Sequence, residues 1–428
     1  MALKTSRSGR LAKIIGIGAS MVGKSISGAI SARDQLEIRI SQARALAKGL
    51  AELKGASMKL GQLLSLQGEN FLPKEIIDVL STLQNAAPAF SGEEIEKIIV
   101  KELGDKFSDF KIFEKTALAS ASIGQVHKAL LKNDEPCVIK VQYPGIASAI
   151  DSELDLLRKI ITPFSKLYPA KIDLPQLMNE VKTLLKQEVD YKAEAHYAKI
   201  FRDKLQSDRR FAVPKIYENY STHKILTMSF EPGLSLSELL KLNTPQVTRD
   251  SFGTWVYELL LKEIFDFRLI QTDPNFANYL FRIDSDKNAK QVVLLDFGAC
   301  KSYSREFIAD YKSFGKAVID GDKSFVFEMA HQLNFLNEKE TSEVKDIFYQ
   351  MIVVSMEPIL TEALFDDGNS DFPKRISAMG YKFIKSIKCT PPPAQILFLN
   401  RKLGGIYNLL RVLGAKVSLR SLNEKYLS

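Results

Sequence analysis

Residues 119–126 read Ala-Ser-Ala-Ser-Ile-Gly-Gln-Val. Set against the loop pattern G-x-G-x-x-G-x-V, which folds backbone N–H groups over nucleotide phosphates, the tract keeps Gly124 and Val126. Ala119 and Ala121 stand where the pattern has its other two glycines. A Cβ removes the φ freedom that glycine gives such a loop, so a reshaped nucleotide grip is expected, with Ala119, Ala121, Ser122, Gly124 and Val126 near the cofactor. Alone the tract decides little, because an Ala/Ser stretch entering a strand is more often a simple turn.

What gives it weight lies downstream. Fourteen residues past Val126, Cys137-Val-Ile-Lys140 puts a lysine on an apolar strand. An ammonium there needs an anionic partner, since burying it unpaired is costly. Phosphates and a helix carboxylate would serve, and Glu188, Asp190 and Glu194 are the candidate carboxylates. Further on, Asp273-Pro-Asn-Phe-Ala-Asn278 has the spacing D-x-x-x-x-N. There Asp273 is placed to orient or deprotonate a nucleophile and Asn278 to hold a metal. Eighteen residues later the apolar run Val292–Leu295 delivers Asp296-Phe-Gly298, whose carboxylate at a strand end suits Mg²⁺. A phosphate loop, strand lysine, helix acid, D-x-x-x-x-N and strand-end D-F-G in this order specify a protein-kinase-like fold using ATP/ADP and Mg²⁺, with Lys140 and Asp273 as its catalytic residues.

The periodicity agrees with an α+β, bilobal chain. Helical spacing is expected over 34–55, 55–66 and 73–84, and Ser91 with Glu94 reads as a capping box. Strands are expected at Ile123–Leu131 and Pro136–Gln142 around a Lys132–Glu135 turn, then at Ile216–Tyr220, Ile225–Phe230, Tyr279–Arg282 and Val292–Asp296. One long helix is expected over about 176–205. The parts are a basic segment 1–33, a helical extension 34–110, an N-lobe with inserted helices 111–232 and a mainly helical C-lobe 233–428.

Upstream of the kinase-like set, Lys59-Leu-Gly61-Gln62 forms a K-x-G-Q motif that ordinary protein kinases lack. Together with the Ala-rich loop, the E-x-D at Glu188 and Asp190 and the T-D-P-N at Thr272–Asn275, it resembles the UbiB/AarF family of atypical kinases over roughly residues 40–415. The resemblance implies that the K-x-G-Q helices cover the peptide-binding place, that Lys59 and Gln62 engage Glu188 and Asp190, and that Glu194 is left to Lys140. It also implies a lipid-responsive ATPase or small-molecule kinase supporting isoprenoid-quinone (ubiquinone-type) biosynthesis. Its partners would be a nucleotide, an isoprenoid lipid or quinone precursor, quinone-biosynthesis enzymes and a membrane surface. Two positions depart from the family pattern: Gln271 replaces a usual His and cannot titrate, and Ala277 replaces a usual Gly. Alternatives are a nucleotide-binding scaffold for lipid-modifying enzymes and, further off, a conventional protein kinase.

Composition sets the outer limits. Apolar residues at 45% and charged residues at 26% describe a globular chain, and three scattered cysteines argue against a disulfide framework. Much of the net charge of +8 sits at the front, where residues 1–54 hold ten basic residues against three acids. That segment reads as an organellar transit peptide, as a lipid-touching bacterial N-terminus or as a solvated tail. The expected home is the cytoplasmic side of a bacterial membrane, with the mitochondrial matrix or inner membrane as the alternative. Residues 396–415 are amphipathic and interrupted by Arg401, Lys402 and Arg411, so the expected membrane association is peripheral. No stacking-aromatic or recognition-helix pattern supports nucleic-acid binding.

Overall fold

The computed structural model describes residues 90–121, 123–165, 174–366, 371–386 and 394–427. The helices expected over 34–84, with Lys59, Gly61 and Gln62, lie outside the described residues, as does Ser122. The chain divides into two compact units, Met1–Ala195 with Ile216–Phe230 and His196–Lys215 with Glu231–Ser428. The segment 196–215, expected in the first lobe, therefore packs with the second.

The first unit contains α1 (Gly92–Leu103), β1 (Phe110–Ala121), β2 (Gly124–Leu131), β3 (Pro136–Gln142), α2 (Ile146–Ser165), α3 (Leu174–Glu188) and the start of α4 (Tyr191–Leu205). After β4 (Phe211–Ala212), which belongs to the second unit, the first unit recovers β5 (Ile225–Ser229). Its antiparallel sheet runs β1-β2-β3-β5. The capping box forms as read, Ser91 Oγ accepting from the Glu94 N–H at 3.3 Å and the Glu94 carboxylate from the Ser91 N–H at 3.0 Å. It starts α1 at the register that turns Ile95, Ile99 and Leu103 onto Leu131, Cys137, Ile139, Val141 and Ile225, the core of this unit.

The β2–β3 hairpin has the expected turn, with Asp134 taking the left-handed conformation at φ 61°. β1 is absent from the sequence-based expectation because almost none of it is buried, so no alternation of apolar residues marks it. Two expectations are corrected. The helix over 176–205 is two helices, because the Asp190 side chain turns back to accept from the Ala193 N–H at 3.0 Å and caps α4. The strand Ile216–Tyr220 reduces to one bridge, Ile216 to Met228, followed by a 3-10 turn at Glu218–Tyr220. The Ser221 hydroxyl, accepting from Thr227 N–H at 3.0 Å, takes a hydrogen bond that a ladder would have used.

The second unit continues with α5 (Leu236–Lys241), α6 (Gln246–Leu261), a π-helical turn Lys262–Phe267, β6 (Leu269–Gln271), β7 (Tyr279–Ile283), β8 (Ala289–Leu294) and β9 (Cys300–Ser302). It closes with α7 (Arg305–Asp320), α8 (Lys323–Gln332), α9 (Ser342–Leu360), α10 (Phe372–Ser386), α11 (Ala394–Leu413) and α12 (Leu419–Leu427). Its small sheets are β4-β8-β7 and the pair β6-β9. The strand expected at Val292–Asp296 is β8, which ends at Leu294. Phe252, Tyr257 and Leu260 of α6 are fully buried, and Gly253 lets Leu410 and Ala415 approach that helix.

The run 396–415 is largely α11. Leu399, Ile406, Leu409, Leu410 and Leu413 are buried in the unit's own core, so this apolar face is not available to a bilayer. Among the described residues no helix is long and apolar enough to cross a membrane.

Candidate active site

In the first unit the sheet register places Ala119 opposite Val126 and Val126 opposite Lys140. The 119–126 tract is thus the tip of the β1–β2 hairpin, and Ala119 and Ala121 pair with Val126 and Gly124 just past a register shift between Ala117 and Ala119, with no left-handed backbone. Gly124 is needed for a different reason. A Cβ there would collide with the Val141 carbonyl oxygen, so glycine permits β2 and β3 to close at this point.

Lys140 Nζ donates to both carboxylate oxygens of Glu194, at 2.7 and 2.9 Å, and lies 5.1 Å from the Tyr191 ring centre. Both charged side chains are buried, at 9% and 2% exposure, which is tolerable only because each neutralises the other. The break at Asp190 sets this pair up, since capping starts α4 and puts Glu194 one turn along it. Glu188 is buried at the end of α3 and Asp190 is exposed, spent on the cap. The partners expected for these two, Lys59 and Gln62, lie outside the described residues.

In the second unit topology gathers three residues. Asn278 immediately precedes β7 and Asp296 follows β8, and the ladder continues past both strands, with Leu295 N–H donating to the Asn278 carbonyl at 3.0 Å. Asp273 follows β6, whose partner β9 begins just after Asp296-Phe-Gly298; Thr272 N–H donates to the Ala299 carbonyl at 2.8 Å. The D-x-x-x-x-N loop and the D-F-G turn are therefore neighbours by strand pairing. Asn278 Nδ2 reaches Asp273 Oδ2 at 3.4 Å, and Asp296 Oδ1 accepts from the Gly298 N–H at 2.9 Å, which fixes the turn. Ala277 is accommodated without strain, its N–H donating to Asn275 Oδ1 at 3.0 Å and its φ negative.

Sequence reasoning missed the side chains that hold this loop from behind. Arg401 Nη2 donates to Asp273 Oδ1 at 3.0 Å, with both side chains largely buried. The next residue, Lys402, is fully buried and grips both ends of the loop: its Nζ donates to Gln271 Oε1 and to the Tyr279 hydroxyl, each at 3.1 Å. Glu263, from the π-helical turn, sits 3.5 Å from Lys402 Nζ and accepts from the Gln271 N–H at 3.1 Å. Burial alone would push the Lys402 ammonium down; the Glu263 carboxylate and the Tyr279 hydroxyl hold it above the usual lysine value. Gln271 acts as a brace through its amide oxygen. The signal was present in two adjacent cations on a helix with no acid of its own.

The residues suit a nucleotide with a hard divalent cation. Asp296 and Asn278 are oxygen donors on adjoining strand ends, and Mg²⁺ takes one or two such ligands and completes its shell with phosphate and water oxygens. Among the described residues no three His, Cys, Asp or Glu surround one point, so a cage built wholly from those side chains is not what this site offers. Arg401 Nε is buried without an acceptor among the described residues, a donor suited to an anion.

The comparisons agree with this geometry. The ABC1 atypical kinase-like domain matches residues 82–330. The atypical kinase COQ8, mitochondrial, of Saccharomyces cerevisiae is 35% identical over 370 residues, 86% of this chain and 72% of that protein. The atypical kinase coq-8, mitochondrial, of Caenorhabditis elegans is 32% identical over 86% of this chain, which spans only 48% of that longer protein. The same fold occurs in a Mycobacterium tuberculosis protein solved as a complex with erythromycin, with a TM-score of 0.61 and 24% identity over 92% of this chain and 97% of that one. The chain belongs to the ABC1 atypical kinase-like family.

Proposed function

We propose that the chain is a Mg²⁺-dependent ATPase or small-molecule kinase of the atypical type, acting in isoprenoid-quinone biosynthesis. The observation that carries this reading is the buried Lys140–Glu194 pair, with the lysine directly opposite Val126 of the loop tract. A buried ammonium held in this way is positioned to meet phosphate oxygens. ATP with its metal would supply the activated phosphoryl group. The protein's own residues do the rest: Lys140 holds phosphate, Asp296 and Asn278 offer oxygens to the cation, and Asp273 accepts a proton from the attacking hydroxyl or water. Arg401 fixes the direction in which Asp273 faces. Ala119 and Ala121, paired across the strand with Val126 and Gly124, support a nucleotide grip with less backbone freedom than glycines would give.

The metabolic placement rests on the K-x-G-Q, E-x-D and T-D-P-N resemblance and on atypical-kinase relatives. Their mitochondrial names support the organellar alternative over the bacterial one.

Purified protein with ATP, Mg²⁺, liposomes and a quinone-precursor mimic should turn over ATP. Asp296→Asn should lower kcat by about 10²–10³, the equivalent of several kcal/mol of lost charge stabilisation. Equal rates in the two proteins would remove the catalytic reading.

A further inference from the structure

The second unit has a cavity of about 900 Å³ lined by the π-helical turn, the first turns of α7 and the end of α12. Six cations face it: Arg210, Lys262, Arg268, Arg305, Lys312 and Lys425. Only two lining side chains, Glu258 and Asp266, are acidic.

Five of these cations divide into two kinds. Arg210 and Lys425 are tied to Glu258 at 2.5 and 3.1 Å, and Asp208 beside them binds Lys262 at 2.5 Å and Arg210 at 2.8 Å. These ion pairs build a fixed floor whose charge is largely compensated. Arg268 and Arg305, by contrast, are exposed, and neither makes an ion pair among the described residues. Both guanidiniums act on exposed Glu306, whose carboxyl is lowered first by its own backbone N–H and Ser304, and least by these arginines.

The backbone at Arg268 also stands out. It ends the π-helical turn in the left-handed conformation at φ 52°, a place more often given to Gly or Asn. A large side chain held there is a local cost of the kind that gathers at ligand sites. Also lining the cavity, Phe265 and Tyr426 stack with ring centres 6.2 Å apart and give it an aromatic wall.

We propose that this cavity is a second anion site, for a small ligand bearing a phosphate or diphosphate, with the anion between Arg268 and Arg305 and a planar or apolar body against Phe265 and Tyr426. Guanidinium forks match phosphate oxygens in pairs, and the compensated floor leaves the surplus charge at these two arginines. The site is independent of the nucleotide reading, because Lys140 belongs to the first unit and none of Asp273, Asn278 and Asp296 lines the cavity.

The probes are inorganic pyrophosphate, followed by titration calorimetry on the full chain in EDTA at low salt, and neutral vesicles doped with phosphatidic acid, followed by sedimentation. Arg268→Ala/Arg305→Ala should weaken pyrophosphate binding at least about tenfold. Lys374→Ala/Lys382→Ala, which removes the same charge from exposed positions on α10, should leave that binding in place. Arg305→Ala alone, at an exposed helix position, gives a smaller loss in the same direction and guards against misfolding at position 268. Vesicle binding that depends on the two arginines identifies the source as a lipid headgroup, whereas pyrophosphate binding without vesicle binding identifies a soluble diphosphate. Binding of either probe that is equal in wild type and the double variant, or no binding of either, overturns the proposal.

Discussion

Lys402 shows how a single residue can be both expensive and necessary. It is fully buried and its charge is matched by Glu263, which is also buried. Removing one partner strands the other: Lys402→Met should cost about 3–5 kcal/mol of stability, and Glu263→Met a similar amount. The double variant should recover most of the loss, because two apolar side chains leave no unpaired charge. Urea melts of the three proteins decide it, and a double variant as unstable as the sum of the singles would contradict the pairing. The pH dependence follows from the direction of the shift. A lysine raised in the folded state contributes fully below its unfolded value of about 10.4, so Lys402's own titration adds no slope there. The Glu263 carboxyl, raised by burial and deprived of its lysine in the variant, takes up a proton as pH falls, so the Lys402→Met penalty should shrink toward acid pH. Residues of this kind explain what sequence spacing could not supply. Lys140, Asp273, Asn278 and Asp296 were legible because short motifs carry them, whereas Arg401 lies 128 residues from Asp273 and Lys402 131 from Gln271, distances over which no periodicity speaks.

At the scale of elements, α11 sets the position of the Asp273–Asn278 loop by direct approach. Gly405 is the point of closest contact, where a Cβ would land on the Pro274 ring; its neighbour Gly404 faces open space. The two glycines therefore make a matched pair of tests on one helix. Gly405→Ala must push the loop or the helix aside, with about 1–3 kcal/mol of destabilisation and a fall in ATP turnover as Asp273 leaves Arg401. Gly404→Ala should leave turnover unchanged and add roughly 0.5–1 kcal/mol, since alanine is the better helix former. Urea melts and steady-state rates on both variants would check this, and an active, stable Gly405→Ala protein would show that the loop does not depend on that contact. The elements differ in how well the sequence announced them. β2 and β3 were readable because their residues are buried in a sheet interior, and α1 because a capping box marks its start. β1 and the three-residue strands β6 and β9 were not, since an exposed edge and a very short strand carry too little pattern.

For the molecule as a whole, the path of the chain matters more than the list of its parts. The chain leaves the first unit at Ala195, returns for Ile216–Phe230 and leaves again, so neither unit is one continuous segment. The returning piece carries β5, which pairs with β3 from Cys137↔Ser229 through Val141↔Ile225. The piece given to the second unit carries β4, which pairs in parallel with β8. A boundary drawn between 232 and 233 keeps β5 with the first lobe and differs over 196–215, where the two-residue β4 carries no chemical motif. A fragment ending at Ala195 consequently loses β5 and leaves β3 as a sheet edge, with Ile139 and Val141, both at 0% exposure in the intact protein, paired on the β2 side only. An apolar unpaired edge of this sort aggregates or fails to fold. The fragment should therefore lack a cooperative melt, while the same fragment with residues 216–230 joined by a flexible linker should regain one, with slow amide exchange on β3. If the fragment ending at Ala195 folds cooperatively by itself, β5 is an accessory of the sheet, and the three crossings are a matter of chain routing with no bearing on how Lys140 is held on β3.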